Sequence, residues 1–264
     1  RVWGDGPFPW GTALIAIFAA SLFYTGGMAL NDLLDRHIDA IEHPQRPIPS
    51  GALSLREATV FTTLSFAIAI TAVALLAPKA TMFALALAAA IVLYDILHKR
   101  WTGSLVFMGL CRALVYVLAA AMTAHATART PDIGEVVLFA TLLALYITSL
   151  TVVAQKEVQG VLGFRRWLAV AMVFLPFAAL LVSAPVSPSW TLAMGALLFA
   201  WLARSARLVR QKPPKMLPAI LGWLSGISLL DAFFLTFTPH PELALVALGC
   251  FAATVWGHRR IAGT

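Results

Sequence analysis

The sequence predicts an all-α protein, a polytopic bundle of about nine transmembrane helices. Its 264 residues are 60% hydrophobic and only 12% charged, and the mean hydropathy is +0.85. A water-soluble globular protein needs more polar surface than this composition supplies. The apolar residues also fall into separate stretches, each of the length that a helix needs to cross about 30 Å of hydrocarbon, which is roughly 17 to 25 residues.

These stretches define the expected helices in chain order. They occupy 10–31, 56–77, 80–97, 103–124, 134–154, 166–184, 190–208, 216–236 and 241–258. Prolines punctuate two of the turns between them, at Pro185 and Pro188 and in "KPPK" at 212–215. The longest polar stretch lies at about 32–55, which is too short for a soluble domain. We therefore expect one transmembrane domain over 1–264.

The basic residues are concentrated on one side of the predicted bundle. Three lie in loops of the opposite side, at Arg1, Lys79 and Arg129, and Arg112 lies within a span. The other fifteen of the nineteen share one side: Arg36, Arg46, Arg56, Lys99, Arg100, Lys156, Arg165, Arg166, Arg204, Arg207, Arg210, Lys212, Lys215, Arg259 and Arg260. The positive-inside rule makes that side cytoplasmic, so we expect a multi-pass protein of the cytoplasmic (inner) membrane.

The ends of the chain and its two cysteines add further limits. Nine spans place the N-terminus outside the cell, and the chain begins at Arg1 rather than methionine. One more helix upstream would return the N-terminus to the cytoplasm. Cys111 and Cys250 both fall in apolar runs, so they are expected to be small packing residues rather than a disulfide or a metal-ligand pair.

An acidic motif, "NDLLDRHIDAIEHPQRPIPSG" at 31–51, begins where the first apolar stretch ends. On a helix Asn31, Asp35 and Asp39 share a face, and Asp32 lies about 100° from Asn31. Carboxylates this close repel one another unless cations lie between them. Mg²⁺ prefers oxygen ligands and joins carboxylates to substrate phosphates. The motif therefore predicts a platform for Mg²⁺ and a diphosphate, with the three aspartates as metal ligands and catalytic residues.

The segment after these acids is rich in proline. Pro44, Pro47 and Pro49 restrict the backbone and are expected to hold Arg46 in a fixed place. A fixed guanidinium can bind phosphate oxygens bidentately. The alternative is an ordinary solvated helix end. Three observations favour a binding site instead: the acids share a face, the whole chain contains only twelve acidic residues, and the proline-rich segment that follows is stiff.

The stretch 31–51 closely resembles the first aspartate-rich motif of the UbiA superfamily of intramembrane prenyltransferases, in which Asn-Asp-x-x-Asp-x-x-x-Asp leads into Arg-Pro-Ile-Pro-Ser-Gly. The resemblance implies a ring of helices around a central cavity that opens to the lipid. It implies Mg²⁺-dependent transfer of an isoprenyl group from a prenyl diphosphate to an aromatic or lipophilic acceptor. In that family the motif ends the second helix, which again suggests that an N-terminal helix is absent here.

Two further segments add candidate substrate contacts. "YDILHKR" at 94–100 is similar to the family's Tyr-Ser-x-x-Leu-Lys segment, with Tyr94 and Lys99 matching and Asp95 in the usual serine position. Anchoring at the membrane edge is the alternative for Lys99. Arg112 lies deep in an apolar span, where a charge costs at least about 2.5–3.5 kcal/mol. We therefore expect Arg112 to face a polar cavity and to contact the diphosphate as a catalytic residue.

The second aspartate-rich motif is reduced. Where the family typically carries an Asp-x-x-x-Asp pair, this chain reads "TVVAQKEVQG" at 151–160. Glu157 is expected to serve there as the remaining metal ligand, and Lys156 as a phosphate contact. Together with "MGLCRAL" at 108–114, this form resembles the EboC-type branch of the superfamily.

The predicted function is that of an enzyme, a UbiA-type prenyltransferase whose partners are a prenyl diphosphate, a lipophilic or aromatic acceptor and membrane lipids. The reduced second motif leaves two alternatives, a non-catalytic isoprenoid-binding or transport protein and a UbiA-type terpene cyclase. Nucleic acid is excluded because no Lys/Arg cluster is interleaved with polar and aromatic residues. His37, His43 and His98 are expected to be solvated loop residues.

Overall fold

The computed structural model describes residues 8–98, 101–127, 132–155, 164–211 and 214–260, and these ranges contain helices and no β-strand. The α-helices are α1 (Trp10–Glu42), α2 (Leu55–Leu76), α3 (Thr81–Leu97), α4 (Leu105–Thr127), α5 (Ile133–Gln155), α6 (Phe164–Met172), α7 (Ala179–Val182), α8 (Pro188–Arg210), α9 (Met216–Leu235) and α10 (Ala244–Arg260). Short 3₁₀ turns occupy Pro78–Ala80, Thr102–Ser104, Leu175–Ala178 and Pro241–Leu243.

Eight helices in the described part of the chain are long and apolar enough to cross a membrane. They correspond to α1 to α5 and α8 to α10, and each matches a span predicted from hydropathy. The prediction of an all-α, multi-pass membrane protein is therefore confirmed. The central cavity and the single domain stay predictions.

The sixth predicted span, 166–184, is not one continuous helix, so the prediction of nine continuous spans is wrong at this point. α6 ends at Met172, a 3₁₀ turn follows at Leu175–Ala178, and α7 is only a single turn. The cause is Pro176, which has no backbone N–H to donate and whose ring would clash with the carbonyl group four residues earlier. That carbonyl belongs to Met172, where the helix stops.

The first helix is much longer than the apolar stretch that predicted it. α1 contains 33 residues, which makes it about 50 Å long at about 1.5 Å per residue. Hydrocarbon about 30 Å thick accounts for only part of this length. The last three turns of α1, which carry the acidic motif, therefore form a helical extension of a membrane span.

Two compact units make up the described part of the chain. The first lies within Pro9–Pro131 and contains α1 to α4. Its buried core is made of a few large side chains among small ones: Phe23, Leu87, Leu118, Met122, Val73, Ala19, Ala69, Ala77, Ala80 and Ala84. Small residues let helix backbones approach closely where lipid, rather than water, surrounds the helices. This close packing brings the ends of α1 and α3 together.

The second unit lies within Asp132–Thr264 together with Arg1–Phe8, and contains α5 to α10. Its core is rich in aromatic side chains, and polar groups of two of these rings donate hydrogen bonds to backbone carbonyl oxygens. The Tyr146 hydroxyl donates to the carbonyl oxygen of Trp223 at 2.6 Å, and Trp201 Nε1 donates to that of Gly222 at 2.6 Å. A side chain at Gly222 would collide with the hydroxyl of Ser205. Glycine is therefore required where α9 crosses α8.

Candidate functional site

The acidic motif forms an arc along one side of the end of α1. Successive residues of an α-helix are about 100° apart, which orders the side chains as Asn31, Asp35, Asp39 and Asp32 across about 100°. Asp35 is 7% and Asp39 2% exposed, whereas 39% of the Asp32 side chain is exposed. The expected shared face is therefore present, and Asp32 is its most accessible carboxylate.

Arg46 lies at the Asp39 and Asp32 end of this arc. Its Nη1 donates a hydrogen bond to Asp39 Oδ2 at 2.8 Å and lies 3.6 Å from Asp32 Oδ1. The Arg46 side chain remains 27% exposed, and a guanidinium carries five N–H donors. Arg46 thus neutralises the carboxylates while other donors are left for a second anion.

The segment between α1 and α2 holds Arg46 through its own backbone. Arg46 N donates to the carbonyl oxygen of His43 at 3.0 Å, and the Arg46 carbonyl oxygen accepts from Ser50 N at 3.0 Å. Gly51 N donates to Ile48 O at 3.1 Å, and Gly51 has φ of +79°, which L side chains rarely adopt. These turns fold the segment back over the end of α1.

The other end of the arc faces α3. Asn31 Nδ2 donates to Asp95 Oδ1 at 3.3 Å, joining residues 64 positions apart. Asp95 is only 6% exposed, and its second oxygen, Oδ2, has no hydrogen-bond partner among the described residues. In the sequence Asp95 stands out only as a departure from a serine, and it was not predicted in the site.

His98 connects the two buried carboxylates. Its Nε2 lies 3.5 Å from Asp35 Oδ2, and its Nδ1 lies 3.0 Å from the backbone oxygen of Asp95. The ring stacks on Tyr94 with centroids 5.2 Å apart, and only 15% of the side chain is exposed. The prediction that His98 is a solvated loop residue is therefore wrong, because the end of α3 packs against α1. The same packing places Tyr94 beside the site.

Arg112, on α4, makes a contact that the sequence did not reveal. Its guanidinium carbon lies 5.7 Å from the ring centroid of Tyr24, which is on α1 two turns before Asn31. A cation over an aromatic face is stabilised by the ring's quadrupole. One partner of this intramembrane charge is thus an aromatic ring. The expectation that Arg112 also contacts the diphosphate stays a prediction.

The donor set suits Mg²⁺ bound together with a phosphate ligand. Among the described residues, no three His, Cys, Asp or Glu side chains are placed to form a metal cage. Mg²⁺, however, usually takes one or two carboxylates, keeps several waters and completes its shell with substrate phosphates. Asp32, Asp35 and Asp39 present oxygen ligands along one arc, with Asp32 as the accessible member, so the residues fit a metal–diphosphate site rather than a metal-only site.

Three predicted site residues, Lys99, Lys156 and Glu157, lie outside the described residues. The predictions that Lys99 and Lys156 contact phosphate and that Glu157 binds metal stay predictions. The residues that the structure does bring together all belong to the unit within Pro9–Pro131. They come from the end of α1, the following segment, the end of α3 and the middle of α4.

The sequence matches the UbiA prenyltransferase family over residues 2–227. Digeranylgeranylglyceryl phosphate synthase of Haloquadratum walsbyi is 34% identical over 189 residues, covering 70% of this chain and 60% of that protein. The synthase of the same name from Natronomonas pharaonis is 41% identical over 88 residues, covering 33% of this chain and 32% of that protein. The matched region thus spans less than two thirds of the length of these relatives.

A solved structure described as digeranylgeranylglyceryl phosphate synthase in membranes is similar in fold. It aligns with 93% of this chain and 88% of its own chain, at a TM-score of 0.56 and 18% sequence identity. At this identity the likeness concerns the fold, and it agrees with the helical membrane architecture. The narrower resemblance to the EboC-type branch stays a prediction.

Proposed function

Because the chain belongs to the UbiA prenyltransferase family, we propose that it transfers an isoprenyl group from a prenyl diphosphate to a lipophilic acceptor. The observation that carries the proposal is the arc of Asp32, Asp35 and Asp39 with Arg46 bound at one end. This arc combines oxygen ligands for a divalent cation with a guanidinium for phosphate, at the end of a membrane-spanning helix.

The acceptor is proposed from the relatives. The proteins from Haloquadratum walsbyi and Natronomonas pharaonis are named for a product in which two geranylgeranyl groups are joined to glyceryl phosphate. A prenylated glyceryl phosphate is a lipophilic acceptor with a hydroxyl nucleophile. We therefore place lipid alcohols of this kind first among candidate acceptors and aromatic acceptors second.

The reaction breaks the allylic C–O bond of the donor and leaves both electrons on the diphosphate. The acceptor oxygen then bonds to the allylic carbon and loses its proton. Arg46 would stabilise the charge that develops on the diphosphate, since its guanidinium is already oriented by Asp39. Arg112 would supply a second positive charge from α4. Bound Mg²⁺, held by Asp32, Asp35 and Asp39, would supply the remaining charge neutralisation.

The burial of the site has a chemical role in this proposal. Asp35 and Asp39 are almost fully buried. An allylic cation reacts with any water that reaches it, so a site that excludes water favours transfer over hydrolysis. The concentration of basic residues on one side of the bundle supports a cytoplasmic location for the site.

One assay tests the proposal. The purified chain in lipid nanodiscs is incubated with prenyl diphosphates of several lengths and with prenylated glyceryl phosphate or aromatic acceptors, with and without Mg²⁺. We expect pyrophosphate release that requires both Mg²⁺ and an acceptor. Asp35→Asn should reduce release about a hundredfold, as expected for loss of one charge-stabilising group. Glu42→Gln neutralises an exposed carboxylate of the same helix end and should leave release unchanged.

The other outcomes decide between the alternatives. Donor binding without release for any donor and acceptor pair would favour a non-catalytic isoprenoid-binding or transport protein. A cyclised product formed without an acceptor would favour a terpene cyclase. Full activity of Asp35→Asn would contradict the metal assignment.

A further inference from the structure

Asp95 is a buried carboxylate that is only partly hydrogen-bonded within the described part of the chain. It is 6% exposed, and one of its oxygens accepts from the Asn31 amide at 3.3 Å. The other oxygen has no hydrogen-bond partner among the described residues. An unsatisfied polar atom in a buried position is costly, and buried carboxylates are normally paired or bound to a metal.

The described neighbours of Asp95 leave this second oxygen unpaired. Asn31 donates to the other carboxylate oxygen, and the His98 ring lies against the backbone oxygen of Asp95 and against Asp35 Oδ2. On the α4 side the neighbour is Cys111, whose thiol brings no positive charge. Arg46 lies at the end of the arc farthest from Asp95, where it pairs with Asp39 and Asp32.

The position of Asp95 suggests what completes this site. Its neighbour Asp35 is one of the three aspartates assigned to Mg²⁺, and the two carboxylates are held by different helices, α1 and α3. A carboxylate oxygen without a hydrogen-bond partner is the kind of ligand that a hard divalent cation takes.

We propose that Asp95 is a further ligand of the divalent cation site, acting together with Asp35. This inference rests on the proposed function, since it concerns the same metal–diphosphate site. In it, Asn31 is a positioning residue that fixes Asp95 through one oxygen and leaves the other for the cation. α3 thereby contributes a ligand to a site whose other carboxylates belong to α1.

The test measures metal binding rather than turnover. The full chain is reconstituted in phosphatidylcholine nanodiscs, stripped of metal with EDTA, and titrated with Mn²⁺ as a probe for Mg²⁺ by electron paramagnetic resonance. We expect wild type to bind Mn²⁺, and Asp95→Asn and Asp95→Ser to bind it at least tenfold more weakly or to lose one ion per chain. The asparagine of Asp95→Asn can still accept the hydrogen bond from Asn31. Glu42→Gln is the control, because it neutralises an exposed carboxylate of α1 and should leave Mn²⁺ affinity unchanged.

Thermal unfolding separates a ligand from a structural residue. Without metal, Asp95→Asn should be as stable as wild type or more stable, because it removes a buried charge. With Mn²⁺ added, the Tm of wild type should rise by mass action, and that of Asp95→Asn should rise less at the same Mn²⁺ concentration. Lower stability of the metal-free variants combined with unchanged Mn²⁺ affinity would show that Asp95 is structural and overturn the proposal.

The same experiment distinguishes this inference from the proposed function. If wild type releases pyrophosphate but Asp95→Asn binds Mn²⁺ with wild-type affinity and stoichiometry, the inference is overturned and the function stands. If Mn²⁺ binding depends on Asp95 but no donor is turned over, the cation site stands and the transferase activity does not. Failure of wild type to bind Mn²⁺ at all would also overturn the inference.

Discussion

Arg46 and Asp39 are seven residues apart and are joined by a hydrogen bond of 2.8 Å between Nη1 and Oδ2. Asp39 is 2% exposed, so this carboxylate would be buried without a counter-charge if Arg46 were absent. The pair therefore serves two purposes. It fixes the segment after α1, and it presents a guanidinium to a ligand without requiring the side chain to be ordered on binding.

Removing Arg46 should cost both stability and donor affinity. Arg46→Gln leaves Asp39 buried without its charged partner, and we expect a loss of about 1.5–3 kcal/mol in the free energy of unfolding. Arg46→Lys keeps the charge but not the planar fork and should lose less. Thermal unfolding of Arg46→Gln, Asp39→Asn and the double variant measures the coupling, and purely additive effects would contradict a direct pair.

Gly51 should be sensitive to substitution because of its backbone conformation alone. Its φ is +79°, and no atom lies within 4 Å of the position that a Cβ would occupy. Gly51→Ala should therefore destabilise the protein by about 1–2 kcal/mol through left-handed strain. Gly51→Asn should cost less, because asparagine tolerates this region. Equal losses for both variants would point to a steric cause instead.

The contact between Arg112 and Tyr24 predicts a graded series for donor binding. Arg112→Gln should weaken binding of a prenyl diphosphate more than tenfold, because it removes a charge expected to face the diphosphate. Tyr24→Leu removes the ring below the guanidinium, worth about 0.5–2 kcal/mol, and should weaken binding severalfold. Tyr24→Phe keeps the ring and should bind as wild type does. Competition binding checks the order, and a large loss in Tyr24→Phe would show that the hydroxyl matters instead.

The crossing of α8 and α9 offers a test of packing in the second unit. Gly222→Ala places a methyl group against the Ser205 hydroxyl, and we expect a loss of about 1–3 kcal/mol in stability. Ser205 Oγ is buried and has no hydrogen-bond partner among the described residues, so Ser205→Ala should be tolerated and should rescue Gly222→Ala. Gly249→Ala, which has open space around it, is the control and should not destabilise. Failure of the rescue in thermal unfolding would contradict this contact.

Hydropathy and helical spacing predicted much of this protein. Apart from the extended end of α1 and the interrupted sixth stretch, the stretches of apolar residues located the spans to within a few residues, because crossing hydrocarbon sets a minimum length that composition reveals. The spacing of Asp32, Asp35 and Asp39 predicted one acidic face, since a helix repeats about every 3.6 residues. Hydropathy alone did not show that Pro176 would stop a helix inside an apolar stretch, because proline acts through backbone geometry and not through polarity.

The remaining parts of the site depend on which helices touch. Asp95 and His98 lie some 60 residues after the acidic motif, and nothing in the pattern of α3 shows that its end packs on the end of α1. The interpretation of His98 as solvated failed for this reason. Likewise, the charge of Arg112 predicted a partner, but only the packing of α4 on α1 identified Tyr24 as one.

α1 runs without interruption from Trp10 to Glu42, so its lipid-embedded part and its acidic end move as one rigid rod. A helix answers a change in bilayer thickness mainly by tilting. Any tilt would therefore shift Asp32, Asp35 and Asp39 sideways and in depth, relative to the end of α3 as well. We therefore expect the affinity for a divalent cation to change with bilayer thickness, which titrations in nanodiscs made from lipids of different chain length would measure.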